Sequence, residues 1–193
     1  MDIRQRLFEA RSYTPLPFLA VMILFARPTA ASLLLGAVPV VTGEFLRLWG
    51  VAIAGSETRT TGPVGGTYLI TKGPFAYVRN PLYLGNMLMY TGIGIMSNAL
   101  FPWLALAALA WFALQYGLIV SLEEEVLAGK FGEEFAAYKR GTPRFIPGFR
   151  KYSGGTHEQP PLEWKSGFAS ERRTFQALGI LAVVLAVLWQ IRG

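Results

Sequence analysis

The fold is decided by residues 73–85, which read GPFAYVRNPLYLG. The glycine–proline pair predicts a turn, and Asn80 and Pro81 suit the N-cap and the first position of a helix. Two apolar runs follow, and the second, residues 100–122, ends in three consecutive glutamates. Because only a short loop joins the two runs, we predict antiparallel helices. The arginine of the first segment and the glutamates then lie at the same end of the molecule.

The composition indicates a membrane protein. Of the 193 residues, 52% are hydrophobic and only 16% are charged, and several apolar runs approach the length of a membrane span. These runs are residues 16–26, 30–54, 82–96, 100–122 and 175–191. The first has about half of the ~20 residues that a span needs, so it is half of a helical hairpin with the second run, or a tilted or re-entrant helix. We therefore predict an all-α polytopic membrane protein of about five transmembrane helices, with a cytoplasmic catalytic segment.

The positive charge of the chain is distributed unevenly. The net charge is +6, and if the five runs cross the membrane alternately, only Arg27 and Arg192 lie opposite the other basic residues. Such a bias is typical of cytoplasmic loops, and it predicts a cytoplasmic N-terminus and an external C-terminus. It favours contact with membrane lipids over nucleic acid. We expect the protein in the cytoplasmic membrane of a bacterium or an archaeon.

Several kinds of site are excluded by residue type. The chain has no cysteine, so it has no disulfide, zinc–thiolate site or thiol nucleophile. Its single histidine, His157, lies in a polar stretch away from the glutamates, so we predict no metal site. No glycine-rich phosphate loop follows a strand, which excludes a soluble nucleotide-binding domain of the Rossmann type.

The charged residues beside the apolar runs are the first candidates for a site. Glu123, Glu124 and Glu125 repel one another, and the helix dipole disfavours them at the end of a helix. They are either solvated, or one or two of them bind a cation such as an ammonium or a sulfonium. Arg79 and Arg144 either set the membrane topology or grip an anion in two places with the guanidinium group.

Three tyrosines and an asparagine complete the candidate set. Tyr77, Tyr83 and Tyr138 are either aromatic residues of the membrane interface or side chains that stack on a purine or hydrogen-bond to a substrate. Asn80 is either a simple helix cap or a ligand contact. Both readings of each residue are compatible with the sequence pattern.

Charged residues also occur inside the second apolar run and beyond the fourth. Glu44 and Arg47 are spaced to pair on one helix face, or else they line a site within the membrane. Residues 123–138 have the spacing of a further amphipathic helix. We expect one membrane domain over residues 1–193, with a polar cytoplasmic elbow at 148–171 and a C-terminal transmembrane helix at 172–191.

Taken in order, these segments resemble the integral-membrane methyltransferases, which include isoprenylcysteine carboxyl methyltransferases and phospholipid N-methyltransferases. The resemblance lies in residues 73–85, in Glu-Glu-x-x-Leu at 123–127, and in Phe-Gly-x-x-Phe-x-x-Tyr and Pro-Arg-Phe-Ile-Pro within 131–147. Leu-Arg-Leu-Trp at 46–49 also fits. The methyltransferase-like core is therefore predicted at residues 43–147.

The resemblance implies that S-adenosylmethionine is the cofactor. It also implies that the cofactor site lies at the positions that match the family's motifs. These are Arg79, Asn80, Pro81, Tyr83, Glu123, Glu124, Tyr138 and Arg144, with Tyr77 as a further neighbour of the adenosine. Within this set, Arg79, Asn80, Glu124 and Arg144 are expected to be catalytic. Two positions depart from the family pattern: Asn80 replaces the usual histidine, and Gly141 stands where relatives often carry arginine.

The expected function is methyl transfer to a lipophilic acceptor, either an isoprenylcysteine-like carboxylate or a phospholipid amine. One of the glutamates would hold the cofactor's ammonium, and one arginine its carboxylate. One alternative is an NADPH-dependent membrane reductase of the sterol reductase type, although Asn86 replaces the glutamate expected after Gly85. The other alternative is a non-catalytic lipid-binding protein. The last helix lies beyond the motifs and is given no catalytic role.

Overall fold

The protein folds into six α-helices in a computed structural model that describes residues 2–55, 68–155 and 159–192. The helices are α1 (Ile3–Ala10), α2 (Pro15–Leu24), α3 (Ala30–Ala54), α4 (Pro81–Ser97), α5 (Trp103–Gly141) and α6 (Trp164–Arg192). A short 3-10 helix, Gly73–Ala76, precedes α4. Within the described ranges the chain forms no β-strand, which confirms the all-α prediction.

Among the residues that the structure describes, three helices are long and apolar enough to cross a membrane: α3, α5 and α6. These helices make the chain an integral membrane protein. Helix α2 has 10 residues, and at 1.5 Å per residue it is only ~15 Å long, about half the thickness of a bilayer core. Helix α4 has 17 residues. The described chain thus offers three clear spans where the sequence predicted about five.

The helix boundaries agree with the sequence in the first half of the chain and differ in the second. Helix α3 coincides with the predicted run, and Thr29 and Ser32 form a reciprocal capping box at its start. Helix α5 joins the span predicted at 100–122 to the amphipathic helix predicted at 123–138, and it departs from helical geometry at Gly132, whose φ of 50° favours glycine. Helix α6 begins at Trp164, inside the predicted elbow at 148–171.

Two pairs of glycines bring the backbones of α3 and α4 into direct contact. A Cβ atom at Gly36 would lie 2.5 Å from the carbonyl oxygen of Gly92, and one at Gly43 would lie 2.5 Å from that of Gly85. No side chain fits at such distances, and small residues are the usual means of close helix approach in membranes. The pairing shows that α3 and α4 are antiparallel.

The remaining contacts show which helix ends lie next to one another. Tyr83 near the start of α4 contacts Glu123 of α5, whereas Gly94 near the end of α4 faces Ala105, so α4 and α5 are antiparallel. The start of α6 packs against the end of α3, where Gly167 meets Ala52. We call this end, which holds the start of α4 and the glutamates of α5, the polar end.

Candidate functional site

A cavity of about 1180 Å³ runs from the polar end into the helical bundle. At the polar end its lining includes Arg79, Tyr83, Glu123, Glu124 and Tyr138. Further in, the lining becomes apolar and includes Leu19, Ile23, Met89, Ile93 and Leu181. The cavity therefore combines a charged compartment with an apolar one, and helices α2 to α6 all contribute to its wall.

The strongest charge cluster of the site is centred on Glu124. Arg79 donates to this carboxylate from Nη2 over 2.8 Å, and Arg144 donates from its own Nη2 over 2.6 Å. Lys139 Nζ lies 3.3 Å from the same carboxylate. Three cations thus surround one anion, and we call these four residues the Glu124 cluster. Its excess of positive charge suits an anionic group of a ligand.

The cluster forms because the chain after α5 folds back over the segment before α4. The backbone N–H of Arg79 donates to the carbonyl oxygen of Pro143 over 2.8 Å, and that of Gly148 donates to Tyr77 over 2.8 Å. The Arg79 guanidinium also donates to the carbonyl oxygens of Lys139, over 3.1 Å, and of Thr142. These bonds hold the two arginines on either side of Glu124.

The three consecutive glutamates have three different environments. Glu123 accepts a 2.7 Å hydrogen bond from the hydroxyl of Tyr83 at the cavity wall. Glu124 lies within its cluster of cations. Glu125 points to the N-terminal helix, where it pairs with Arg4 over 3.1 Å. This explains how three adjacent carboxylates are accommodated, and it leaves Glu123 and Glu124 as the two that face the cavity.

Most of the predicted site residues line the cavity. These are Arg79, Asn80, Pro81, Tyr83, Glu123, Glu124 and Tyr138. Asn80 occupies the N-cap position of α4, but its side chain makes no capping bond and donates instead to the carbonyl oxygen of Arg144 over 3.1 Å. The Tyr138 hydroxyl donates to the carbonyl oxygen of Phe75 over 2.7 Å.

Two predicted residues lie outside the cavity wall. Tyr77 contributes a backbone carbonyl to the fold-back of the chain after α5, and its side chain is not among the described groups that line the cavity. Arg144 is also outside the lining, but it reaches the site through its bonds to Glu124. A direct contact with a cavity ligand is therefore better supported for Arg79 than for Arg144.

Helix α6 contributes a buried carboxylate that the sequence analysis missed. Glu171 is fully buried and lines the cavity. It accepts two bonds from Nη2 of Arg47, at 2.8 and 3.0 Å, whereas Glu44 lies 3.9 Å from Arg47. The predicted Glu44–Arg47 pair is thus secondary to a pair between α3 and α6. The sequence did contain an indication of this residue: Glu171 is an acidic residue close to an apolar run, and ionisable residues in membrane-spanning helices tend to face a cavity.

The described residues contain no group of three or more His, Cys, Asp or Glu side chains that could hold a metal ion. His157 lies outside the described ranges. Among the carboxylates of the cavity, Glu124 and Glu171 pair with guanidinium groups, and Glu123 accepts from the hydroxyl of Tyr83.

A family model described as phospholipid methyltransferase matches residues 31–134, more than half of the chain. The chain belongs to the phospholipid methyltransferase family. The match confirms the resemblance to integral-membrane methyltransferases. It spans α3, α4 and most of α5, and so includes Arg79, Tyr83 and the glutamates of the cavity. Lys139 and Arg144 of the Glu124 cluster lie beyond it, as does α6.

Two relatives of this family member carry names of metal resistance proteins. The cobalt-zinc-cadmium resistance protein CzcN of Cupriavidus metallidurans is 39% identical over 109 residues, which are 56% of this chain and 45% of the relative. The nickel-cobalt-cadmium resistance protein NccN of Alcaligenes xylosoxydans xylosoxydans is 35% identical over 120 residues, 62% of this chain and 51% of the relative. The chain spans about half the length of these curated relatives. No solved structure matches the chain.

Proposed function

We propose that this family member is a methyltransferase that uses S-adenosylmethionine to methylate a lipophilic acceptor. The observation that carries the proposal is the cavity, which joins a charged compartment at the polar end to an apolar compartment between the helices. A polar cofactor and a lipophilic acceptor need two such compartments in contact. The family match supports the reaction class.

The residues at the polar end fit the cofactor chemically. S-adenosylmethionine carries a carboxylate, an ammonium, a sulfonium and an adenine ring. The Glu124 cluster has more cations than anions, so Arg79 can bind the carboxylate without leaving Glu124 unpaired. Glu123, held by Tyr83, can accept hydrogen bonds from the ammonium. Aromatic side chains at this end of the wall, Phe75, Phe135 and Tyr138, can pack on the adenine.

The bound cofactor supplies a methyl group activated by its attachment to a positively charged sulfur. The protein's own contribution is to orient both reactants and exclude water. Arg79 and Arg144 each hold Glu124 through two hydrogen bonds, so little reorganisation is needed when the cofactor arrives. The apolar wall keeps the reacting atoms away from water.

The acceptor would enter from the apolar side. Leu19 and Ile23 of α2, Met89 and Ile93 of α4, and Leu181 of α6 form a wall suited to an alkyl chain. Most apolar side chains of α6 are exposed on the surface of the protein, among them Ile180, Val183 and Val187, so its outer face is available to lipid. A lipophilic molecule could therefore pass between α2 and α6 while the cofactor enters from the polar end. We place that end on the cytoplasmic side, where the cofactor is found.

The proposal is tested by equilibrium binding of radiolabelled S-adenosylmethionine to the purified protein in detergent. We expect saturable binding at millimolar concentration or below, with competition by S-adenosylhomocysteine. NADPH should not compete. The cobalt, zinc and cadmium ions that appear in the name of one relative are tested as further competitors. Absence of saturable binding, or displacement by NADPH, would contradict the methyltransferase assignment.

A further inference from the structure

The chain that follows α5 exposes two large apolar side chains at the polar end. Residues 144–151 read RFIPGFRK, and we call them the apolar loop. Ile146 is 81% exposed and Phe149 is fully exposed. Phe145 instead packs against the hydrophobic core of the helical bundle. The loop is therefore attached to the bundle on its inner side and presents an apolar outer face.

The apolar loop lies at the height where the apolar part of the bundle ends. Arg144 donates to Glu124 over 2.6 Å, and Glu124 stands two positions after the apolar run at 100–122. Gly148 donates to the carbonyl oxygen of Tyr77, which lies shortly before the start of α4. A membrane span ends where its apolar residues end, so this height corresponds to the boundary between the acyl chains and the headgroups.

Basic residues surround the exposed apolar face. Residues 135–155 contain five basic residues and no acidic one. Four of the five are exposed, in two pairs: Lys139 with Arg140, and Arg150 with Lys151. The two pairs are close in space, because a Cβ atom at Gly141 would lie 2.7 Å from the ring of Tyr152. The surface beside the apolar side chains is therefore strongly positive.

We propose that the apolar loop docks on an anionic membrane surface, with Ile146 and Phe149 among the upper acyl chains and the two basic pairs against the headgroups. Apolar side chains beside basic ones match such a surface in both hydrophobicity and charge. An acidic protein would match the charges, but the height of the loop places its apolar side chains beside lipid.

This docking surface is separate from the cavity and from the proposed methyltransferase function. The lining of the cavity includes neither of the two apolar side chains and none of the two basic pairs. The lipids that bind the loop are therefore not the acceptor that enters between α2 and α6. They fix the position of the polar end relative to the membrane.

The two kinds of side chain should respond differently to the composition of the bilayer. Burial of Ile146 and Phe149 among acyl chains does not depend on the charge of the headgroups. Each exposed cation, in contrast, should strengthen docking about fivefold on an anionic surface. It should add little on a bilayer without net charge.

The test places a nitrobenzoxadiazole label on Pro147→Cys in the full-length protein, whose natural sequence has no cysteine. Position 147 is exposed and lies between the two apolar side chains. The protein is reconstituted in nanodiscs of phosphatidylcholine, alone or mixed with phosphatidylglycerol. Fluorescence lifetimes give the ratio of label in lipid to label in water, and quenching by lipids that are spin-labelled near the headgroup gives its depth. We expect label in lipid in both nanodiscs and a higher ratio in the mixed ones.

Substitutions in the labelled protein separate the two contributions. Arg150→Gln should lower the ratio about fivefold in mixed nanodiscs and leave it unchanged in phosphatidylcholine alone. Arg27→Gln is the matched control, because Arg27 is exposed and is bonded through its backbone to Ser97 at the opposite end of the bundle. It should change neither ratio. The double substitution Ile146→Ser and Phe149→Ser should lower both ratios.

A label at Glu133→Cys, an exposed position of α5, controls for insertion of the label itself and should stay in water. If the label at position 147 also stays in water in both nanodiscs, the proposal is overturned and a protein partner becomes the better occupant of this face. A ratio that does not respond to phosphatidylglycerol, or equal effects of Arg150→Gln and Arg27→Gln, would refute docking on anionic lipid. All substituted side chains are exposed, so the unfolding temperatures of the variants should match that of the unaltered protein.

Discussion

Arg79 and Glu124, 45 positions apart, are joined by two hydrogen bonds, from Nε over 3.2 Å and from Nη2 over 2.8 Å. Their side chains are only 9% and 7% exposed. The pair links the segment before α4 to the middle of α5, and it therefore holds the wall of the charged compartment together. Structure and proposed cofactor binding depend on the same two residues.

Replacing Glu124 should affect both stability and binding. In Glu124→Ala the Arg79 guanidinium remains buried without its carboxylate, so we expect a loss of unfolding free energy on the order of 3 kcal/mol. Cofactor affinity should fall about tenfold or more. Thermal unfolding and equilibrium binding measure the two effects. Glu133→Ala, on the exposed side of the same helix, is the control and should change neither. Full cofactor affinity in Glu124→Ala would exclude the cluster from the site.

The hydroxyl of Tyr83 should stabilise the Glu123 carboxylate in its position at the cavity wall. Tyr83→Phe keeps the ring against Tyr116, whose centroid is 4.7 Å away, and removes only the bond to Glu123. We expect a loss of about 1 kcal/mol in unfolding free energy and weaker binding of S-adenosylmethionine. Tyr13→Phe removes a hydroxyl from a side chain that is 70% exposed and should have no effect. Equal cofactor affinities of the two variants would argue against a role of Glu123 in binding the cofactor.

The glycine contacts between α3 and α4 should tolerate no side chain. Gly92→Ala places a methyl group 2.6 Å from the carbonyl oxygen of Gly36, so the helices must separate. We expect a loss of about 1–3 kcal/mol, seen as a lower thermal unfolding temperature in detergent. At Gly117 a Cβ atom meets nothing within 4 Å, and Gly117→Ala should be neutral or slightly stabilising. Similar unfolding temperatures for both variants would contradict the close packing.

The absence of cysteine from the chain allows the predicted topology to be measured directly. Two positions suit single-cysteine variants, because the native side chains there are exposed: Ser153, after α5, and Ala31, at the start of α3. From the distribution of basic residues we expect a membrane-impermeant maleimide to label Ala31→Cys in intact cells and Ser153→Cys only after lysis. The reverse pattern would place the polar end outside the cell.

Local properties of the sequence were enough to predict the helices and much of the charged compartment. Apolar runs of sufficient length form helices in a membrane protein, so the run predicted from Ala30 to about Ala54 agrees with α3. Arg79, Tyr83 and Glu124 were identified because they stand next to such runs. The helix predicted at 123–138 is present, but it continues the preceding span as part of α5, because the glutamate triplet does not interrupt the helix.

Sequence alone determined that this chain enters the membrane as helices and carries opposite charges at one end, since hydrophobicity and residue type are properties of short segments. Only the tertiary structure decided which charges meet. Glu123, Glu124 and Glu125 are neighbours in the chain and diverge in space, because successive helical positions face different directions. Arg47 and Glu171 are 124 positions apart and form a pair, because the packing of α6 against α3 brings them to the same cavity.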